Sequence, residues 1–256
     1  STGVQEVAFK CFHPDLFTCQ RDVERIQQEI ETMAYVQVSA RSSRCHESRR
    51  RLFDTRAPHT QHPNIITLHG VIGDPQASTG AGLVLEFADL GSLRQVLTAE
   101  DDETRALLDD QTRLSLARDI AEAMRFLHSL KPRPVIHRDL KSPNCACGAT
   151  CSNTTELSHC CHARTPHTGL IKRVDSSVVA KVSDFGIART LNESTLSQTR
   201  THAQGSVHWM SPEGFEGHHT CASDVWSFAM TLYELITRRL PFDSGSMLLR
   251  SISVAS

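Results

Sequence analysis

The run His137-Arg138-Asp139-Leu140-Lys141-Ser142-Pro143-Asn144 constrains this chain more than any other feature of its 256 residues. It sets a carboxylate at Asp139, an ammonium at Lys141 and a neutral amide at Asn144 within one short stretch. A carboxylate can take or orient a hydroxyl proton, an ammonium can balance developing negative charge, and an amide oxygen suits a hard cation. A second acidic point, Asp184-Phe185-Gly186, follows the apolar stretch Val178-Val179-Ala180-Lys181-Val182. A carboxylate at a strand end beside a flexible glycine suits Mg²⁺, which prefers oxygen ligands. Alone, Asp-Phe-Gly reads as a loop Asp beside a buried Phe; its place after the first run changes that reading.

The patterning around these stretches predicts the elements that carry them. Val7-Ala8-Phe9-Lys10 reads as a short strand with a charged end. Residues 15–35 read as a helix, with Val23, Ile26, Ile30 and Met33 at three- and four-residue steps on one face. Residues 38–61, with Ser48-Arg49-Arg50-Arg51, lose that period and read as a loop or disordered insertion. Ile65 to Ile72 reads as a strand pair with a turn, and Gly82 to Phe87 as a further strand. Acidic Glu100 to Asp110 reads as a solvated connection. Thr112 to Ser129 reads as a helix with Leu114, Ala117, Ile120, Ala121, Met124 and Leu127 on its apolar face. Strands early and helices later predict an α+β fold with two lobes. A hydrophobic fraction of 39% can build a sizeable core, and a net charge of −2 argues against a nucleic-acid binder or a basic membrane-surface protein. No apolar run approaches the roughly 18 residues of a membrane span, and no signal peptide opens the chain. The nine cysteines are unevenly placed, five of them between Cys145 and Cys161, which reads as free thiols in a reducing compartment.

Taken in order, Val7-Ala8-Phe9-Lys10, His62-Pro63-Asn64-Ile65, the run His137 to Asn144, Lys181 to Gly186, Gly205-Ser206-Val207-His208-Trp209-Met210-Ser211-Pro212-Glu213 and Ser223-Asp224-Val225-Trp226-Ser227-Phe228 resemble the protein kinase superfamily. Within it the wording is similar to the tyrosine-kinase-like group, near the mixed-lineage and Raf-like serine/threonine kinases. The resemblance implies a small, mostly-β N-lobe (residues 1–85), a hinge (86–91) and a larger, mostly-α C-lobe (92–256). It implies ATP as phosphate donor, Mg²⁺ (with Mn²⁺ as a substitute) and protein substrates phosphorylated on serine or threonine, in intracellular, cytoplasmic signalling. Asp139 then resembles the residue that orients the substrate hydroxyl. Lys141 resembles its charge-balancing partner and, with Ser206, the mark of serine/threonine specificity. Asn144 and Asp184 resemble the metal ligands. Lys10 resembles the lysine on the α- and β-phosphates; Glu29, followed by Met33, fits its helix partner, with Glu24 and Glu31 as rivals. Leu85 resembles the gatekeeper, and Glu86, Phe87 and Ala88 the adenine-binding hinge. Met33, Leu68, His137 and Phe185 would form an apolar stack between the lobes, with Gly186 as the flexible end of its motif. Thr195, Ser197, Thr199 and Thr201 are activation-loop acceptors for an upstream kinase or for the chain itself, with Arg138 as counter-charge. Glu213 closes that loop, and Asp224 resembles the buried carboxylate that braces the catalytic loop.

Four departures qualify the resemblance. No Gly-rich loop precedes Lys10, and the chain stops soon after Pro241-Phe242-Asp243, so a domain truncated at both ends is expected, with Glu213 lacking its usual arginine. Residues 38–61 and 145–169 split phrases that would otherwise be continuous. Val38-Ser39 can be encoded by GTGAGT and Gln61 by CAG, splice-site-like ends that make retained introns one reading of these segments. Cys145, Cys147, Cys151, His159, Cys160, Cys161, His162 and His167 offer Zn²⁺ ligands in a spacing that matches no standard finger. The sequons at Asn153 and Asn192 read as chance matches in an intracellular kinase. An active serine/threonine kinase and a catalytically impaired kinase-like scaffold both stand at this point.

Overall fold

Alternation is strict along only one strand of the first sheet, its central one. The computed structural model describes residues 7–12, 20–42, 62–73, 81–142, 170–174, 177–185, 188–190 and 207–242. Strands β1 (Val7–Cys11), β2 (Leu68–Gly73) and β3 (Ala81–Glu86) pair antiparallel in the order β1-β3-β2. Ala81, Leu83 and Leu85 fill the inner face of β3, as a two-residue period requires. In β1 the same period buries Ala8, turns Phe9 outward and brings Lys10 back to the inner side, opposite Leu83.

Helix α1 (Gln20–Ser42) packs Ile26, Met33 and Val36 inward, and Glu29 lies on the same buried stripe. It runs beyond the expected end at Tyr35. Residues 38–42, expected to belong to an irregular insertion, continue the helix because they hold neither Pro nor Gly to stop it; residues 43–61 lie outside the described residues. The strand pair expected over Ile65 to Ile72 is a single strand, β2, preceded by a docked segment. Ile65, Ile66 and Thr67 are all buried, so this stretch does not alternate. It binds the strand before Asp184 instead: Ile66 N donates to Val182 O at 2.9 Å and Val182 N to Asn64 O at 2.8 Å.

The chain leaves β3 through residues 87–92 and becomes helical. Ser92 caps α2 (Leu93–Thr98), its hydroxyl accepting from Gln95 N while the Gln95 side chain accepts from Ser92 N. The expected solvated connection holds a short helix, α3 (Asp102–Ala106), and buries Leu108 behind it. Asp109 caps α4 (Asp110–Ser129), accepting from Thr112 N at 2.7 Å. Its buried stripe is Leu116, Ile120, Ala123, Met124 and Leu127. Leu114, expected on that stripe, is 66% exposed: it lies two residues, about 200° of helix rotation, before Leu116. Strand β4 (Val135–Ile136) pairs with β7 (Arg189–Thr190), and β5 (Leu170–Val174) forms a hairpin with β6 (Ser177–Lys181). Helices α5 (Pro212–Phe215) and α6 (Cys221–Thr237) follow. A small antiparallel sheet with one long helix thus sits beside a larger helical part, the two-lobed α+β arrangement expected.

Candidate active site

Lys10 is the meeting point of three elements. Its ammonium lies 2.5 and 2.8 Å from the two carboxylate oxygens of Glu29 and 3.2 Å from Asp184 Oδ1. Alternation in β1 points Lys10 inward, the α1 stripe points Glu29 to meet it, and β6 delivers Asp184 from the other lobe. Glu29, rather than Glu24 or Glu31, is the partner because Glu24 and Glu31 lie on the exposed side of α1. Burial works against the lysine charge, but the Asp184 and Glu29 carboxylates outweigh it and hold the ammonium above the ordinary lysine range. Phe12 lies under the same ammonium, with its ring centroid 5.3 Å away.

The loop after β4 is shaped by a buried aspartate on α6. Asp224 is 1% exposed and accepts from His137 N at 2.9 Å and Arg138 N at 2.8 Å. His128, on α4, bonds the same carboxylate through Nε2 at 2.8 Å. These bonds hold Arg138 at φ 71°, a left-handed backbone that a non-glycine residue adopts only when its surroundings impose it. The turned backbone presents Asp139, whose Oδ2 receives the Lys141 ammonium at 2.8 Å. Asp184, at φ 62°, is the second left-handed residue of the site. His137 couples the two acidic stretches. Asp139 N donates to its Nδ1 at 3.4 Å, which leaves Nε2–H to donate to Ser183 O at 3.0 Å. Its ring also packs on Phe185, centroids 5.3 Å apart, and both side chains are fully buried. Met33 belongs to the same hydrophobic core as Phe185, and Leu68 packs against that core.

Leu85 is buried at the end of β3, and Ala88 is buried just beyond it. The Glu86 side chain turns toward the docked segment: its Oε2 accepts from Thr67 Oγ1 at 3.0 Å and pairs with Lys181 at 3.1 Å. Glu213, expected to lack its usual arginine, accepts from Ser223 Oγ at 2.8 Å. Burial opposes its charge, but hydrogen bonds from its own backbone, Ser223 and Ser211 outweigh that and hold the carboxyl below the usual range. Asn144, Gly186, Ser206, Thr195, Ser197, Thr199, Thr201 and the Cys/His-rich stretch lie outside the described residues.

Sequence reasoning missed the polar interior of the large lobe. Glu234 is fully buried on α6, accepts from Trp209 Nε1 at 2.6 Å and pairs with Arg94 of α2 at 3.0 Å. Arg94 N in turn donates to Ser142 O at 2.9 Å, at the end of the catalytic run. The signal was present: Asp224, Ser227, Thr231 and Glu234 fall on one helical stripe, which the flanking apolar residues of α6 disguise. Lys181 and His128 were also missed, since only the tertiary fold supplies Glu86 and Asp224 as their partners.

A lysine held at once by a helix glutamate and by the Asp184 carboxylate, with a separate Asp139–Lys141 pair on the loop after β4, is an arrangement suited to phosphoryl transfer. A family model described as protein tyrosine and serine/threonine kinase matches residues 28–246, and the chain belongs to that family. The probable serine/threonine-protein kinase roco8 of Dictyostelium discoideum is 34% identical over 183 residues, 71% of this chain and 8% of that protein. Serine/threonine-protein kinase CTR1 of Arabidopsis thaliana is 33% identical over 183 residues, 71% of this chain and 18% of that protein. Mitogen-activated protein kinase kinase kinase 7 of Homo sapiens is 33% identical over 184 residues, 71% of this chain and 24% of that protein. The chain therefore spans less than a quarter of the length of these relatives. No helix among the described residues is long and apolar enough to cross a membrane.

Proposed function

We propose that this chain transfers the γ-phosphate of ATP to serine or threonine hydroxyls of protein substrates, as the catalytic part of an intracellular signalling kinase. The observation that carries the reading is the Lys10 ammonium bonded to Glu29 and to Asp184 at once. An ammonium fixed between two carboxylates is already oriented toward the α- and β-phosphates of ATP, so little reorganisation is left for binding. Asp139 accepts the proton of the incoming hydroxyl, and Lys141 beside it balances charge on the phosphoryl oxygens.

Mg²⁺ suits the donor set. Asp184 supplies an ionised oxygen and Asn144 a neutral one, both hard ligands of the type this cation takes. When bound, it would neutralise charge on the transferring phosphate. Leu85 limits the depth of the adenine pocket, and the backbone of Glu86 and Ala88 hydrogen-bonds the base. Thr195, Ser197, Thr199 and Thr201 are the regulatory acceptors, modified by an upstream kinase or by the chain itself, with Arg138 as their counter-charge. The scaffold reading is not favoured: all three named relatives are kinases by name, two of them serine/threonine-protein kinases, and Lys10, Glu29, Asp139, Lys141, Asn144 and Asp184 are all present.

The test is Mg²⁺-dependent transfer from labelled ATP to a generic protein substrate, with Asp139→Asn as control. Removing the base is expected to cost about 10²- to 10⁴-fold in kcat. Equal rates in wild type and Asp139→Asn would refute the assignment.

A further inference from the structure

Helix α1 carries Glu29, so whatever fixes α1 fixes the Lys10 pair. Two of its polar contacts reach its own lobe: Glu29 to Lys10, and Gln37 Nε2 to Leu68 O at 3.2 Å. A third crosses to the other lobe. The Tyr35 hydroxyl donates to Arg133 O at 3.0 Å and accepts from Arg133 N at 3.3 Å. Arg133 lies between α4 and β4, and β4 leads directly into His137 and Asp139. We infer that Tyr35 is a positioning residue for phosphoryl transfer, a latch that holds α1 at the depth and rotation where Glu29 meets Lys10.

The geometry suits that role better than ordinary packing does. The Tyr35 ring is partly buried against the core, so the phenol has little freedom of its own. Its hydroxyl uses both donor and acceptor capacity on one residue's backbone, which is satisfied at a single placement of the helix. Glu29 lies six residues earlier, about 9 Å along the same rigid helix, so a slide or tilt at Tyr35 is carried to it. The latch also joins the helix that sets Lys10 to the turn that feeds Asp139, coupling the ATP-binding and hydroxyl-orienting halves of the site. Its catalytic consequence rests on the kinase reading above; its mechanical part does not.

The test uses Tyr35→Phe, which deletes one oxygen and keeps the ring. The chain has two tyrosines, so Tyr233→Phe, on the exposed side of α6, is the matched control. The first readout is the rate at which an N-hydroxysuccinimide ester acylates Lys10, followed by mass spectrometry. The Lys10 side chain is 9% exposed, so labelling requires the Glu29 pair to open. Loss of the hydroxyl's two surface-proximal hydrogen bonds, together about 1 kcal/mol, predicts about fivefold faster labelling in Tyr35→Phe and no change in Tyr233→Phe. The second readout is the KM for ATP, expected to rise by a similar factor, with no further rise when Tyr35→Phe is added to Glu29→Gln. Unchanged Lys10 labelling overturns the latch. Faster labelling with unchanged KM in an active chain overturns its role in the reaction. A wild type without transfer activity refutes the kinase reading, while the labelling rates still decide the latch.

Discussion

Replacing Asp224 by alanine should destabilise the chain by about 4 kcal/mol. The carboxylate is 1% exposed and satisfies two main-chain donors, His137 N and Arg138 N, besides His128 Nε2. An orphaned buried donor costs about 1–3 kcal/mol, so the two amides alone account for about 2–6. The His128 ring is 18% exposed, can find water, and adds little. Asp224→Asn should cost about half as much, because one amide oxygen still accepts while its NH₂ faces a donor. Urea unfolding measures this: with a slope near 3 kcal/mol/M, the alanine midpoint falls by about 1.3 M. The same bonds impose the left-handed backbone at Arg138, so phosphotransfer should fall further than the folded fraction does. An alanine variant within about 0.5 kcal/mol of wild type would mean that the two amides find other partners, and the bracing role would be refuted.

Two further expectations concern groups outside the catalytic set. Arg94→Met leaves Glu234 buried without its cation and should cost about 3 kcal/mol at neutral pH, the low end for a broken buried pair because Arg94 is itself partly exposed. Burial already pushes the Glu234 carboxyl up, only partly offset by its partners, so the folded state holds its proton more tightly than the unfolded chain does. That stability is present in acid and lost as pH rises through the folded value, so the Arg94→Met penalty in urea should shrink on acidification; a pH-independent penalty would contradict it. His62 stacks on Phe126 at 4.7 Å, and its Nδ1 accepts from Asn64 N. Burial lowers its value below the ordinary 6.5, so its contribution is complete above that pH and is lost as pH falls through the folded value. The melting temperature of wild type should therefore drop more between pH 7 and 5.5 than that of His62→Gln, and equal drops would exclude His62 as the cause.

Linear patterning determined much of this protein. The motif order declared the family and named Lys10, Asp139 and Asp184, because phosphoryl-transfer sites require particular side chains in particular sequence. Periodicity placed β1, β3 and α4 with small boundary errors, since side-chain burial repeats at the period of the local backbone. It failed where burial is not periodic: Ile65 to Thr67 is buried throughout by two partners, and Leu114 is apolar yet solvent-facing. Long-range pairing was decided by the tertiary structure alone. The Met33 spacing favoured Glu29 over Glu24 and Glu31, but only the packing of α1 on β1 brings its carboxylate to Lys10, and Glu234, Lys181 and Tyr35 acquire roles only through partners distant in the chain. A polar side chain carries its chemistry in the sequence, but its partner, and so its charge state and orientation, is set by which elements the core forces together.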